Sequence, residues 1–249
     1  MRRRARAAVA GAVALALSGC AAPPTVGQEL HVFAAASLTE VFTEIAAAFE
    51  EAHPGVSVSL SFDGSAGLAT QIAEGAPAAV FASADAATME SVAQHAADEP
   101  AVFARNALEI AVPAGNPADI RGFADLARDD VVVVVCAVVV PCGRATAEVE
   151  RALDVAVDPA SEENAVTDVL GKVTSGEADA GVVYATDVRR AGDAVEGVPV
   201  DAPDAAVNDY PIAALDGAPD PALARAFVDF VLDDPAQHIL ADAGFLPAD

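Results

Sequence analysis

The chain has 249 residues, 54% of them hydrophobic, with 38 acidic against 13 basic side chains and a formal net charge of −25. Such a length suits one large domain or two small ones, and so large a hydrophobic share excludes a disordered chain. The acidic excess argues against nucleic acid or anionic lipid as a partner, and it disfavours small anions at long range.

The N-terminus sets Arg2, Arg3, Arg4 and Arg6 before an apolar run over 7–17, followed by Ser18-Gly19-Cys20. This is the layout of an export signal over 1–19, too short and wrongly flanked for a membrane span. Small residues just before Cys20 resemble the lipobox of bacterial lipoproteins, which implies cleavage, lipid on Cys20 and a tether over 20–28. The alternative is an ordinary signal peptide in which Cys20 is incidental. Removing 1–19 takes away four basic residues and no acid, leaving 9 against 38 and a charge of about −29. Export also permits disulfides. Cys136 and Cys142 close a short loop flanked by Pro141 and Gly143, so a bridge is expected, with two buried thiols as the alternative.

Along the rest of the chain, strand-like runs at 30–35, 56–62, 78–82, 108–112, 131–136, 180–184, 198–200 and 210–215 alternate with helical patterns. Those patterns fall at 38–52, 66–74, 86–97, 146–153, 163–174, 222–231 and 236–243. Several strands are apolar on both faces, as in the centre of a parallel sheet. Asp220-Pro221 and Asp234-Pro235 set a cap before a first-turn proline, while Gly75 and Gly244 stand where helices stop. The alternation predicts an α/β fold, and its irregular spacing fits two lobes better than an eight-stranded barrel. The expected division is 29–111 plus 210–249 for one lobe and 112–209 for the other, with the chain crossing twice between them.

In right-handed βαβ units the strand delivers the chain to a helix N-terminus, so ligands gather where these junctions meet. Ser37 stands at the first junction. "FDGSAGLATQI" repeats the arrangement with Ser65, "VPCGRATAEVE" opens a helix at Pro141-Cys142-Gly143, and "SEENAVTDVL" offers Ser161 as a cap. Each hydroxyl has an ordinary use as a helix cap. Together the four junctions describe a way to surround a small anion with helix ends and neutral donors.

The segments "VFAAASLTEVF", "SFDGSAGLATQIAEGAPAAVFASAD", "VPCG", "SGEADAGVVYATDV" and "AQHILADAGF" resemble the substrate-binding protein of bacterial molybdate importers, over nearly the whole chain after residue 28. The resemblance implies a type II periplasmic-binding-protein fold, with two Rossmann-like lobes joined by a two-strand hinge. It implies capture of molybdate or tungstate for an ABC permease with its ATPase, by a monomer that carries no cofactor and is no enzyme. It assigns the oxyanion to the hydroxyls of Ser37, Ser65 and Tyr184 and to the backbone N–H groups of Cys142 and Val166.

Molybdate at neutral pH has no proton and only accepts hydrogen bonds, so hydroxyls and amides suffice without a counter-charge. Phosphate keeps a proton and favours a carboxylate acceptor, which makes the direction of Asp63 decisive; phosphate and sulfate are the alternative ligands. A further alternative is an acidic surface lipoprotein that acts as a protein-interaction module. Catalysis has little support: no G-x-S-x-G elbow is present, and His31, His53, His95 and His238 form no metal-binding spacing.

Overall fold

The computed structural model describes residues 27–202 and 205–248, so the signal region and Cys20 lie outside the described residues. In chain order the first elements are β1 (Gln28–Ala35), α1 (Thr39–Ala52), β2 (Val56–Asp63), α2 (Ser65–Ala73), β3 (Val80–Ala82), α3 (Ala86–Ser91) and the long β4 (Ala101–Pro113). Then come β5 (Val133–Cys136), α4 (Pro141–Leu153), β6 (Ser161–Glu163), α5 (Val166–Thr174), β7 (Ala180–Tyr184), α6 (Ala185–Ala191) and β8 (Val195–Pro199). The chain closes with β9 (Val207–Ala214), α7 (Pro221–Leu232) and α8 (Asp234–Ala243).

The strands form one sheet in the order β2-β1-β3-β9-β4-β7-β5-β6, with β8 also paired to β4. Its two ends are parallel, as expected for βαβ crossovers, and its centre is antiparallel because β4 and β9 run between the ends. β4 changes partners part-way along. Residues 101–107 pair with β9 and residues 108–113 with β7 and β8, so one continuous strand belongs to both halves of the sheet.

Helix α1 forms because Val41, Phe42, Ile45 and Phe49 recur at helical spacing and bury one stripe. That stripe meets α7 and β4 through an aromatic cluster in which Phe49 lies 5.1 Å from Phe227 and Phe42 5.6 Å from Phe103. In the other half, Val133, Val134, Val169, Val173 and Val182 are buried between β5, β7 and α5. Each such side chain contributes about 1.5–3 kcal/mol on burial. Among the described residues no helix is long and apolar enough to cross a membrane.

Several local expectations need correction. Ser161 does not cap a helix: it sits in β6, its hydroxyl donates to Glu163, and α5 starts only at Val166 with Ala165 as N-cap. The pattern over 86–97 breaks after Ser91 into a 3-10 turn, Ala93–His95. Helix α4 starts at Pro141, as the "VPCG" junction predicts and five residues before the pattern over 146–153, because proline fits its first position. Asp220 caps α7 by accepting from the N–H groups of Ala222 and Leu223, but Asp234 already lies inside α8, whose N-cap is Asp233. Gly75 and Gly244 do end their helices, both at positive φ.

Candidate functional site

The cavity is built where five chain segments turn from sheet to helix. Ser37 lies in a 3-10 turn, Ala36–Leu38, between β1 and α1. Ser65 is the first residue of α2, Cys142 the second of α4 and Val166 the first of α5, while Tyr184 ends β7. All five line one cavity of about 230 Å³, together with Gly64, Ala84, Pro141, Asn164 and Ala165 among others. That space is room for one small species. Among the described residues no charged side chain lines it.

The donors point to an unusual economy. The first N–H groups engaged within α2, α4 and α5 belong to Leu68, Arg144 and Asp168, so those of Ser65, Cys142 and Val166 precede the hydrogen-bonded ladder. Pro141 has no N–H, which makes Cys142 the first donor of α4. Gly143 must be glycine, since a Cβ there would lie 2.0 Å from the Ala137 carbonyl oxygen. The loop that presses on it is closed by a disulfide between Cys136 and Cys142, as the paired cysteines predict.

The hydroxyls are held from behind. Ser65 Oγ accepts the Ala84 N–H at 3.1 Å, and Tyr184 OH accepts from Asn208 Nδ2 at 2.9 Å. Ser37 Oγ is 3.0 Å from Tyr210 OH. Neither serine side chain caps its helix. Burial pushes the Tyr184 phenol well above its ordinary range, with Tyr210, Asp85 and Asp187 adding to the shift, and burial likewise raises Tyr210. Both phenols therefore keep their protons at any physiological pH.

Asp63 stays out of the cavity. Its side chain is exposed and accepts the Gly64 N–H at 2.7 Å, although it does not cap α2, whose N-cap is Gly64. Sequence reasoning missed Asn208, which reaches from β9 to Tyr184 and to the Ala84 carbonyl at 3.0 Å. It also missed Asn164, whose carbonyl faces Gly64, and gave no role to Tyr210; the one available signal was that the chain has only two tyrosines. Among the described residues no group of His, Cys, Asp and Glu is placed to hold a metal ion.

Residues 30–246 match the family described as bacterial extracellular solute-binding protein. The chain belongs to that family. It is accordingly an extracytoplasmic binding protein and not an enzyme. Within this family it is 47% identical over 243 residues to the molybdate-binding protein ModA of Mycobacterium tuberculosis, covering 95% of this chain and 93% of that protein. It is 30% identical over 245 residues to ModA of Haemophilus influenzae, covering 93% and 95%. Two solved structures share the fold. The periplasmic molybdate-binding protein of Azotobacter vinelandii has a TM-score of 0.77 at 22% identity, over 88% of this chain and 100% of that one. The sulfate-binding protein SubI of Mycobacterium tuberculosis has 0.79 at 20%, over 89% and 88%. Both agree with a type II periplasmic-binding-protein architecture.

Proposed function

We propose that this solute-binding protein captures molybdate or tungstate outside the cytoplasm and delivers it to an ATP-driven ABC importer. The observation that carries the reading is the cavity's donor inventory. Three hydroxyls have their oxygens already occupied or paired, and helix-start N–H groups complete a wall without a carboxylate or a cation. A wall rich in donors, with no charged side chain among the described residues that line it, suits an ion that only accepts. The names of the relatives at 47% and 30% identity support the same ligand class.

Ser37, Ser65 and Tyr184 would donate through their hydroxyls, and Cys142 and Val166 through the backbone. The ion's charge is met by oriented amides at three helix starts rather than by lysine or arginine. Size then separates tetrahedral ions: sulfate offers similar acceptors but is smaller, so a cavity shaped for molybdate leaves its bonds long, while tungstate competes. Two lobes, 29–111 with 210–249 and 112–209, would swing about β4 and β9 and close when the ion bridges them. Lipid on Cys20 would hold the monomer at the outer face of the membrane.

Calorimetric titration with molybdate, tungstate, sulfate and phosphate tests this. Tight saturation by molybdate and tungstate, with sulfate and phosphate far weaker, is the expected result. Saturation by phosphate alone would overturn the reading, since it would require an acceptor that Asp63 does not supply.

A further inference from the structure

Two contacts that lie outside the donor set join opposite walls of the cavity. One is backbone to backbone: a Cβ on Gly64 would lie 2.0 Å from the Asn164 carbonyl oxygen. The other joins side chains of α3 and α4. Arg144 Nε donates to Asp85 Oδ2 at 2.7 Å, and the guanidinium also reaches the Thr88 hydroxyl and, at 2.6 Å, the Val139 carbonyl. We propose that the Arg144–Asp85 pair is a clasp that sets how long the closed cleft retains its ion, which makes both of them positioning residues for retention. This rests on the oxyanion-capture reading.

Neither side chain lines the cavity, yet each is anchored to its wall. Asp85 follows Ala84, whose N–H is held by Ser65 and whose carbonyl is held by Asn208. Arg144 stands two residues after Cys142, on the first turn of α4. A bond between the two side chains therefore ties one wall to the other. The rest of each side chain's bonding is local. Asp85 Oδ1 accepts the Thr88 N–H at 2.9 Å as the N-cap of α3, and Val139 belongs to the disulfide-closed loop beside α4. When the walls part, those local bonds persist and the bonds from Arg144 to Asp85 and Thr88 break. Side-chain exposures of 31% and 13% place the pair between a solvated surface bridge and a dry one. A carboxylate held on both oxygens in that setting contributes more than an exposed pair.

The competing role for Arg144 is simpler: a positive charge near a dianion. The two roles predict opposite signs for Asp85→Asn. That variant keeps an acceptor for the Thr88 N–H and removes one negative charge near the site. A purely electrostatic Arg144 would then hold the ion longer, whereas a broken clasp releases it sooner.

The experiment is stopped-flow association and dissociation of molybdate with full-length wild type, Asp85→Asn, Arg144→Gln and the double variant, together with melting of the ion-free proteins. The expected result is dissociation faster by about 5–30-fold in each single variant, and no further loss in the double. Association should stay within about twofold, and the molybdate-to-sulfate affinity ratio and ion-free melting temperature should not move. Slower or unchanged dissociation in Asp85→Asn, or additive losses in the double, would overturn the clasp while leaving the ligand assignment intact. A wild type that binds neither molybdate nor tungstate would overturn both.

Discussion

Ser65 Oγ accepts the Ala84 N–H, so its proton is free to point into the cavity. A hydroxyl arranged this way has its proton to give, which suits an ion that carries no proton of its own. Replacing Ser37 and Ser65 together by alanine should weaken molybdate binding by about 3–6 kcal/mol, the usual worth of two bonds to a charged acceptor. Calorimetry reads the loss, and an unchanged melting temperature of the ion-free variant shows that the fold survives. Unchanged affinity would remove both serines from the site. A second residue-scale prediction concerns Asp187, fully buried behind Tyr184, where it accepts the Tyr184 N–H and pairs with Arg190 at 3.2 Å. Burial pushes its carboxyl up to about 6, against the lowering effect of Arg190 and the Tyr184 N–H. The folded state thus binds a proton that the unfolded state has already released, so this group's contribution to stability falls as pH rises from about 4 through 6. Two units correspond to about 3 kcal/mol. Urea unfolding of wild type and Asp187→Asn across that window should show the decline in the wild type only, once the behaviour common to both is subtracted.

At the scale of elements, closure depends on how tightly the turn between β2 and α2 meets the segment before α5. Gly64 has φ −55° and ψ 132°, which any residue adopts, so its lack of a side chain serves the contact with Asn164 and not the backbone. Gly64→Ala should therefore leave the ion-free protein as stable as before, or slightly more so, while lowering molybdate affinity at least about tenfold, because the added methyl blocks the closed form. Equal affinity would show that this contact plays no part in binding. The same junctions explain what could be read from the sequence. Strands such as β5 and β7 are apolar runs and were legible, as were α1 and α7 from their periodicity. The first half of β4 was not, because Arg105 and Asn106 interrupt its pattern and its partner β9 is a hundred residues away in the chain. β6 is three residues of Ser and Glu, too short and polar to differ from a loop. The five cavity residues could be named because their junctions resemble a known family. Asn208, Asn164 and Arg144 act only through partners that the fold brings to them, and a lone Asn or Arg carries no local mark of that.

For the whole molecule, the acidic surface and the neutral cavity set up opposing effects at different ranges. An ion approaching a chain of net charge −25 is repelled until it reaches the helix ends. Inside the cavity the amides and hydroxyls act over a few ångströms, where bulk screening is weak, whereas the surface charges act through water and salt. Ionic strength should therefore separate arrival from retention. Raising sodium chloride from about 0.01 to about 0.15 M shortens the screening length from about 30 to about 8 Å, which should speed molybdate association and leave dissociation unchanged. This is the reverse of the slowing seen when a protein steers an oppositely charged ligand. The chain has no tryptophan and both of its tyrosines are at the site, Tyr184 in the wall and Tyr210 bonded to Ser37, so tyrosine fluorescence offers a direct stopped-flow signal. Association that slows with added salt would mean that a local positive field outweighs the acidic surface during approach.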